Sequence, residues 1–231
     1  MGKMKKILFI SENAPDEMLG SLPDGYEIRK LPPCDTLDRP VACHADMLIG
    51  VYCGRAVVSR PYYEKNAGIF RDIGPTVTEE AHGRKYPSDV FLNFIDTGDA
   101  VIGYAKSVSA VVKKPVINVK QGYTRCSTLV AGKCAVSADK GILSALKTLG
   151  YGTLLIRPGH IALPGYDGGF IGGASFCDGG TAFFFGDINA HPDGGEIKSF
   201  LSAHGISCVP LSGGPLTDHG GAVLIKFRND L

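Results

Sequence analysis

In the stretch RPVACHADMLIG (residues 39–50), a cysteine, a histidine and an aspartate fall within four positions, directly before an apolar run. These side-chain types do nucleophilic and acid–base chemistry: a thiolate attacks, an imidazole carries protons, and a carboxylate orients the imidazole or grips a cation. On an extended segment, residues two apart point to one side. His44 and Asp46 are therefore expected to share a face, and Cys43 to turn toward the core. The plainer reading of the same letters is the polar lip of a buried strand, with the imidazole held by a carboxylate for structural reasons.

Four further segments carry side chains of this kind. In YTRCSTLV, Cys126 opens an apolar strand; a free cysteine there is either a nucleophile or a small buried hydrophobe. In LTDHGGAVLI, Asp218 and His219 end a turn before the last strand, and Asp89 and Asn93 precede another apolar stretch. The loop RPGHIALPGYDGGFIGG (157–173) is too rich in glycine and proline for regular structure, yet holds His160, Tyr166 and Asp167. Long ordered loops of this composition line binding sites. The competing reading is a structural crossover in which Gly172 and Gly173 permit close backbone approach. A metal reading of GDINAHPDG, through Asp187, His191 and Asp193, lacks a further ligand and competes with a capping role for Asp193, so no metal or other cofactor is expected. No phosphate-cradling GxxxxGK[ST], strand–GxGxxG–helix or GxSxG elbow occurs.

The bulk numbers bound the reading. A chain of 231 residues, 44% hydrophobic and 20% charged, is an ordinary globular composition able to bury a substantial core. A formal net charge of +1 argues against a nucleic-acid or membrane-surface role driven by charge. The apolar runs are far too short to span a bilayer, and no secretory segment is visible. Seven cysteines without framework spacing or a CxxC pair suit a reducing compartment, which reads as cytoplasmic. A small-molecule ligand is expected; nucleic acid and membrane are not, and the oligomeric state stays open.

The elements that must position these side chains form a repeat. The clearest copy is a strand at 127–130, a turn Ala131-Gly132-Lys133, a second strand at 134–137, a helix over SADKGILSALKTLG and a strand at 153–156. Ser137 or Asp139 is placed to cap that helix, its apolar stripe is Ile142, Leu143, Leu146 and Leu149, and Gly150 stands where a left-handed stop belongs. The next copy is a hairpin around Asp178-Gly179-Gly180, a helix with Asp193 and Glu196 in capping-box spacing and Gly205 as its stop, then ISCVPL as a strand. Upstream, strands at 47–52 and 55–59, a helix at 62–73 and a strand near 76–78 make a third. Strands at 90–95 and 100–104, a short helix near 107–112 and PVINV make a fourth. The fifth is split: GGAVLIKF at the C-terminus joins KILFIS, a helical PDEMLGSL and YEIRKL at the N-terminus. Turn glycines at 54, 98, 132, 180 and 221 recur at roughly 35–50 residues, as in repeat architectures. Five ββαβ units closed by pairing of the two termini leave no exposed sheet edge.

A ring of five such units resembles the pentein fold, the α/β propeller of guanidino-group-modifying enzymes, and residues 1–231 read as one pentein-like domain. PGHIALPGYDGGFIGGASF followed by GDINAHPDG also resembles an uncharacterised bacterial family of that fold. The superfamily spans deiminases, amidinotransferases and dimethylarginine hydrolases, and also a ribosome anti-association factor that is not such an enzyme. The resemblance implies a cysteine nucleophile, a histidine in an H-x-D pair and carboxylates that grip a guanidinium, all where first strands enter the channel. HADM supplies His44 and Asp46 at such an entry. The superfamily's cysteine sits in the last unit; here the corresponding LTDHGGAVLI has none. Carried round the ring, the same relative arrangement falls on Cys126, two units beyond His44, with Asp218 one unit before it. The expected catalytic set is therefore Cys126, His44 and Asp46, with Asp218, His219, Asp89, His160 and Asp167 as substrate-binding residues. The implied activity is a hydrolase or transferase acting on a small guanidino or amidino compound. The alternative is a non-catalytic pentein that binds a ligand or partner.

Overall fold

The computed structural model describes residues 4–228. The chain opens with β1 (Met4–Ser11), α1 (Asp16–Gly20) and β2 (Tyr26–Leu31). A 3₁₀ turn (Arg39–Val41) and α2 (Ala45–Leu48) lead into the hairpin β3 (Ile49–Tyr52) and β4 (Arg55–Ser59), then α3 (Arg60–Lys65), α4 (Ala67–Phe70) and β5 (Thr76–Thr78). β6 (Ile95–Asp96), β7 (Val101–Gly103) and β8 (Val116–Asn118) follow. Next come β9 (Thr128–Ala131), β10 (Cys134–Ser137), α5 (Lys140–Thr148) and β11 (Gly152–Leu155). β12 (Ser175–Asp178), β13 (Thr181–Phe184), α6 (Gly194–Ala203), β14 (Ser207–Pro210) and β15 (Ala222–Arg228) complete the chain.

These strands form five three-stranded sheets, β15-β1-β2, β3-β4-β5, β6-β7-β8, β9-β10-β11 and β12-β13-β14. In each, an antiparallel first pair is extended by a parallel third strand. Ring closure is antiparallel pairing of β1 with β15, from Met4 opposite Arg228 to Ile10 opposite Ala222. First strands of neighbouring units lie against one another, β3 on β6, β9 on β12 and β12 on β15, so they line the central axis. The architecture is the expected five-fold α/β propeller. Among the described residues, no helix is long and apolar enough to cross a membrane.

Local chemistry explains the regular units. At the β9–β10 turn, Gly132 takes φ +57°, a left-handed value that costs glycine little. Asp139 caps α5 by accepting from the Ile142 N–H at 2.9 Å, and Ile142, Leu143, Ala145 and Leu146 form its buried face. The core lies between sheets. Its largest cluster gathers Ile7, Phe9, Met47, Leu48, Val58, Tyr62, Phe70 and Val223, and Cys126 belongs to it.

Where the sequence pattern and the fold part, backbone chemistry gives the reason. His44 and Asp46 are not on a strand. His44 is the N-cap of α2 and Asp46 lies within its single turn, so the strand begins at Ile49 and the period-two argument does not apply. The expected helix at 62–73 breaks into α3 and α4 at Asn66, whose φ of −125° is outside the helical range. The strand expected at 90–95 is reduced to β6, and no helix forms at 107–112. There Ser109 is drawn into bonds with the side chain of Glu80 and the carbonyl of Phe91, which compete with helical bonding. Asp193 makes no capping bond; its carboxylate instead takes the Arg157 backbone N–H at 2.7 Å and Nε at 2.8 Å.

Candidate functional site

The site is built from one position repeated round the ring. The first strands start at Ile49, Ile95, Thr128, Ser175 and Ala222. Two residues before each start stand Met47, Asn93, Cys126, Gly173 and Gly220. Two of these positions, Met47 and Cys126, lie in the wall of a cavity of about 180 Å³. His44, Asp89, Cys126 and Asp218 line it, together with Met47, Tyr123 and Phe170.

Asn93 ties three entries together. Its amide nitrogen donates to the Asp46 carbonyl at 3.0 Å and to Cys126 Sγ at 2.8 Å. Its Oδ1 accepts from the backbone N–H groups of Arg125 at 2.7 Å and Cys126 at 3.2 Å. The thiol is thus fixed from both sides by one buried side chain, with Met47 Sδ 4.0 Å away.

Asp218 is held by backbone. Its Oδ2 accepts from the Phe170 N–H at 2.8 Å and its Oδ1 from the Gly220 N–H at 2.9 Å. His44 Nδ1 lies 3.7 Å from Oδ1 of the same carboxylate. The surrounding glycines are a packing requirement. A Cβ at Gly173 would fall 2.0 Å from Asp218 Oδ1, one at Gly169 2.4 Å from Asp218 Cβ, and one at Gly220 2.3 Å from His44 Cβ. The two glycine-rich segments therefore wrap the carboxylate and the imidazole.

Burial sets the electrostatics. The Cys126 thiol is pushed well above its usual range, first by desolvation and then by the negative charges of Asp46 and Asp218. His44 is lowered by burial, with Asp46 partly opposing, which favours the neutral imidazole. Asp218 is raised by burial and by the neighbouring Asp46 charge. Among the described residues, neither oxygen of Asp46 has a hydrogen-bond partner, nor does Asp89 Oδ1; Asp89 Oδ2 accepts from Tyr123 Oη at 2.7 Å. Buried carboxylate oxygens without donors are costly; the cations near the cluster are Arg84, which lines the cavity, and Arg125, beside Asp46.

The sequence-derived residues divide clearly. Cys126, His44, Asp218 and Asp89 meet at this cavity. Asp46 does not line it; Asp46 lines a separate space of about 270 Å³ with Arg125 and Thr128. His219, His160 and Asp167 do not line this cavity. His219 points to the other side of the 218–220 turn, with its ring 5.8 Å from Phe185. His160 is exposed, 5.5 Å from the His191 ring. Asp167 faces a different cavity. The loop nevertheless reaches this cavity through Leu163, Tyr166, Gly168 and Phe170. Cys43 is buried beside Asn13 and Glu12. Among the described residues no group of three or more His, Cys, Asp or Glu side chains is placed to hold a metal.

Sequence reasoning places Asn93 beside Asp89 without giving it a role, and does not single out Arg125, Tyr123 or Phe170. Asn93 was within reach of it. Aligning the five strand starts shows one position per unit, and a buried amide there is a ready tie between neighbours. Arg125 donates to the carbonyls of Ile49 at 3.0 Å and Ala222 at 3.2 Å, joining two first strands across the channel.

Solved structures share this fold. A dimethylarginine dimethylaminohydrolase adduct with S-methyl-L-thiocitrulline aligns with TM-score 0.56 at 9% identity, over 98% of this chain and 100% of that one. A mutant of the DDAH of Pseudomonas aeruginosa, complexed with citrulline, aligns with TM-score 0.56 at 10% identity, over 96% and 98%. An amidinotransferase of the saxitoxin biosynthetic pathway of Microseira wollei aligns with TM-score 0.53 at 10% identity, over 100% and 96%. At such identities the likeness speaks for the fold alone, and that fold is the pentein propeller. No curated protein matches the sequence. Residues 9–223 match a family described as a family of unknown function (DUF6873), and the chain belongs to that family.

Proposed function

We propose that the protein is a cysteine-dependent hydrolase or transferase acting on a small guanidino or amidino compound. One observation carries this reading. A thiol, a neutral imidazole and the buried carboxylates of Asp89 and Asp218 line one cavity, with Asp89 Oδ1 lacking a donor, an arrangement that suits a planar cation rich in N–H groups. Asp218 and Asp89 would grip that cation through paired hydrogen bonds, with Asp46 adding negative charge nearby.

The chemistry follows from the electrostatics. In the empty site the thiol stays protonated. A bound guanidinium adds positive charge beside the thiol and favours transfer of the thiol proton to His44. The thiolate adds to the guanidinium carbon and the C–N bond to the leaving amine breaks. His44 delivers the proton to that amine, leaving an S-linked thiouronium on Cys126. Water, deprotonated by His44, then attacks the same carbon and the C–S bond breaks, releasing the thiolate and a urea-type product. In a transferase an acceptor amine takes the place of water.

A specific observation favours a second reading, a ligand-binding protein without turnover. Cys126 is buried, and its thiol already accepts a hydrogen bond from the Asn93 amide. Labelling with 2-chloroacetamidine, against neutral chloroacetamide, separates the two. Rapid amidine-selective labelling of Cys126, lost in His44→Ala or Asp218→Ala and blocked by a guanidine compound, is the expected result. Labelling that simply follows exposure among the seven cysteines would leave only the binding reading.

A further inference from the structure

The cavity at Cys126 has two kinds of wall. One carries the reacting groups His44, Asp89, Cys126 and Asp218. The other comes from two loops outside the sheets, 32–43 and 157–173, which contribute Leu37, Val41 and Leu163. The loops touch each other. Tyr166 Oη donates to Asp38 Oδ2 at 3.2 Å, and a Cβ at Gly165 would fall 2.7 Å from Pro40 Cγ. The apolar side chains stand at the same join. Leu37 precedes Asp38 in the chain, and the Tyr166 N–H bonds to the Leu163 carbonyl at 3.0 Å. Leu37 and Leu163 each keep 8% of their surface accessible and Val41 more, so this wall can be reached from the cavity.

Size and charge narrow what fits. At about 180 Å³ the cavity is smaller than the roughly 300–1,000 Å³ of pockets for drug-sized ligands, so its occupant is a small molecule. The remaining charges in the wall are Asp38 and Arg84. They are opposite in sign and both exposed, so solvent screens them and their sum favours neither sign of tail. A charged tail would also lose hydration against Leu37, Val41 and Leu163. An uncharged hydrocarbon there removes apolar surface from water on both sides of the contact.

We infer that the substrate is a guanidine bearing a short, uncharged alkyl group, which packs on Leu37, Val41 and Leu163 where the two loops meet. This rests on the guanidino reading of the Cys126 site and goes beyond it. Asp89 and Asp218 fix the cationic head, and the loops select the tail. Leu163 is then a specificity-determining residue, with no part in the reaction.

The test is binding of small guanidines to the whole protein, read by ¹H–¹⁵N shifts in Cys126→Ala, where no turnover occurs. Methylguanidine reports the head alone. n-Butylguanidine, 4-guanidinobutyrate and (3-aminopropyl)guanidine add tails of matched length that are neutral, negative and positive. A buried methylene contributes roughly fourfold in affinity, so n-butylguanidine should bind at least about tenfold tighter than methylguanidine and than either charged analogue. Leu163→Ala should cut the butyl-to-methyl ratio by about fourfold or more. A ratio is not moved by a general loss of folded protein, so it isolates the tail contact. Tighter binding of 4-guanidinobutyrate, lost in Arg84→Ala, would overturn the assignment in favour of an anionic tail. Tighter binding of the amine, lost in Asp38→Asn, would overturn it in favour of a cationic one. Equal binding of all these compounds would leave the head site standing and remove the selection by the loops. Binding of none, with wild-type Cys126 unprotected from 2-chloroacetamidine, would sink the guanidino reading itself and this inference with it.

Discussion

The β9–β10–β11 unit and the β6–β7–β8 unit occupy equivalent places in the ring but are built differently. The first has four-residue strands and a nine-residue helix capped by Asp139. The second has a two-residue first strand, three-residue partners and no helix between β7 and β8. What the irregular unit lacks in ladder bonds it supplies in side chains: Asn93 and Asp89, just ahead of β6, hold the thiol and line the cavity. The regular unit provides the thiol itself, at the end of a stiff frame. A frame made of backbone pairing tolerates little change in its apolar face, whereas a segment held by side-chain bonds can be given over to the site.

That contrast predicts where stability is lost. Leu146 is fully buried on α5, and truncation there leaves a cavity the neighbouring sheets cannot close. Leu146→Ala should cost about 2–5 kcal/mol, seen as a lower urea midpoint with an unchanged slope. A negligible shift would mean that the regular unit does not carry the frame.

The same contrast explains what could be read from the letters. β2, β4, β5, β10 and the Asp178-Gly179-Gly180 hairpin were legible because alternation and turn glycines act locally. So was ring closure, since KILFIS and GGAVLIKF each need a partner. Asp139 as the α5 cap was one of two candidates that its position allowed. The α2 turn was hidden, because four residues are too few for helical periodicity to show against an apolar run. The site was half legible. Cys126, His44 and Asp218 come from equivalent strand entries, which a repeat reveals. His160 and Asp167 lie away from this cavity, and the letters do not show it, because the path of a seventeen-residue glycine- and proline-rich loop (157–173) depends on what it packs against. Here that is the carboxylate of Asp218, whose contacts with Gly169 and Gly173 turn Phe170 inward.

A second way to sharpen the comparison uses pH. Asp218 is raised from 3.8 to about 7 by burial and the Asp46 charge. The folded state therefore holds this proton through a range in which the unfolded chain has released it. Stability from this group is complete below the unfolded value and is lost as pH rises through the folded one. Between pH 4 and 7 the unfolding free energy should fall by roughly 2–4 kcal/mol more in the wild type than in Asp218→Asn. Denaturant titrations at a series of pH values read the difference. Parallel curves for the two proteins would show that the carboxylate is not charged against its surroundings in the fold.

Asn93→Ala gives the finest discrimination between the two units. The substitution leaves the N–H groups of Arg125 and Cys126 and the Asp46 carbonyl without their partner, and unmet buried groups of this kind cost about 1–3 kcal/mol. The stability loss alone would fit a purely structural tie. The thiol separates the cases. The Asn93 amide is a donor that stabilises the thiolate, against the larger effects of desolvation and negative charge. Its removal should slow amidine-selective labelling of Cys126 and move the pH at which labelling sets in upward. If the variant loses stability while the pH profile of labelling stays where it was, the irregular unit braces the channel mouth and leaves the chemistry of the thiol to the groups on the opposite side, Asp46 and Asp218.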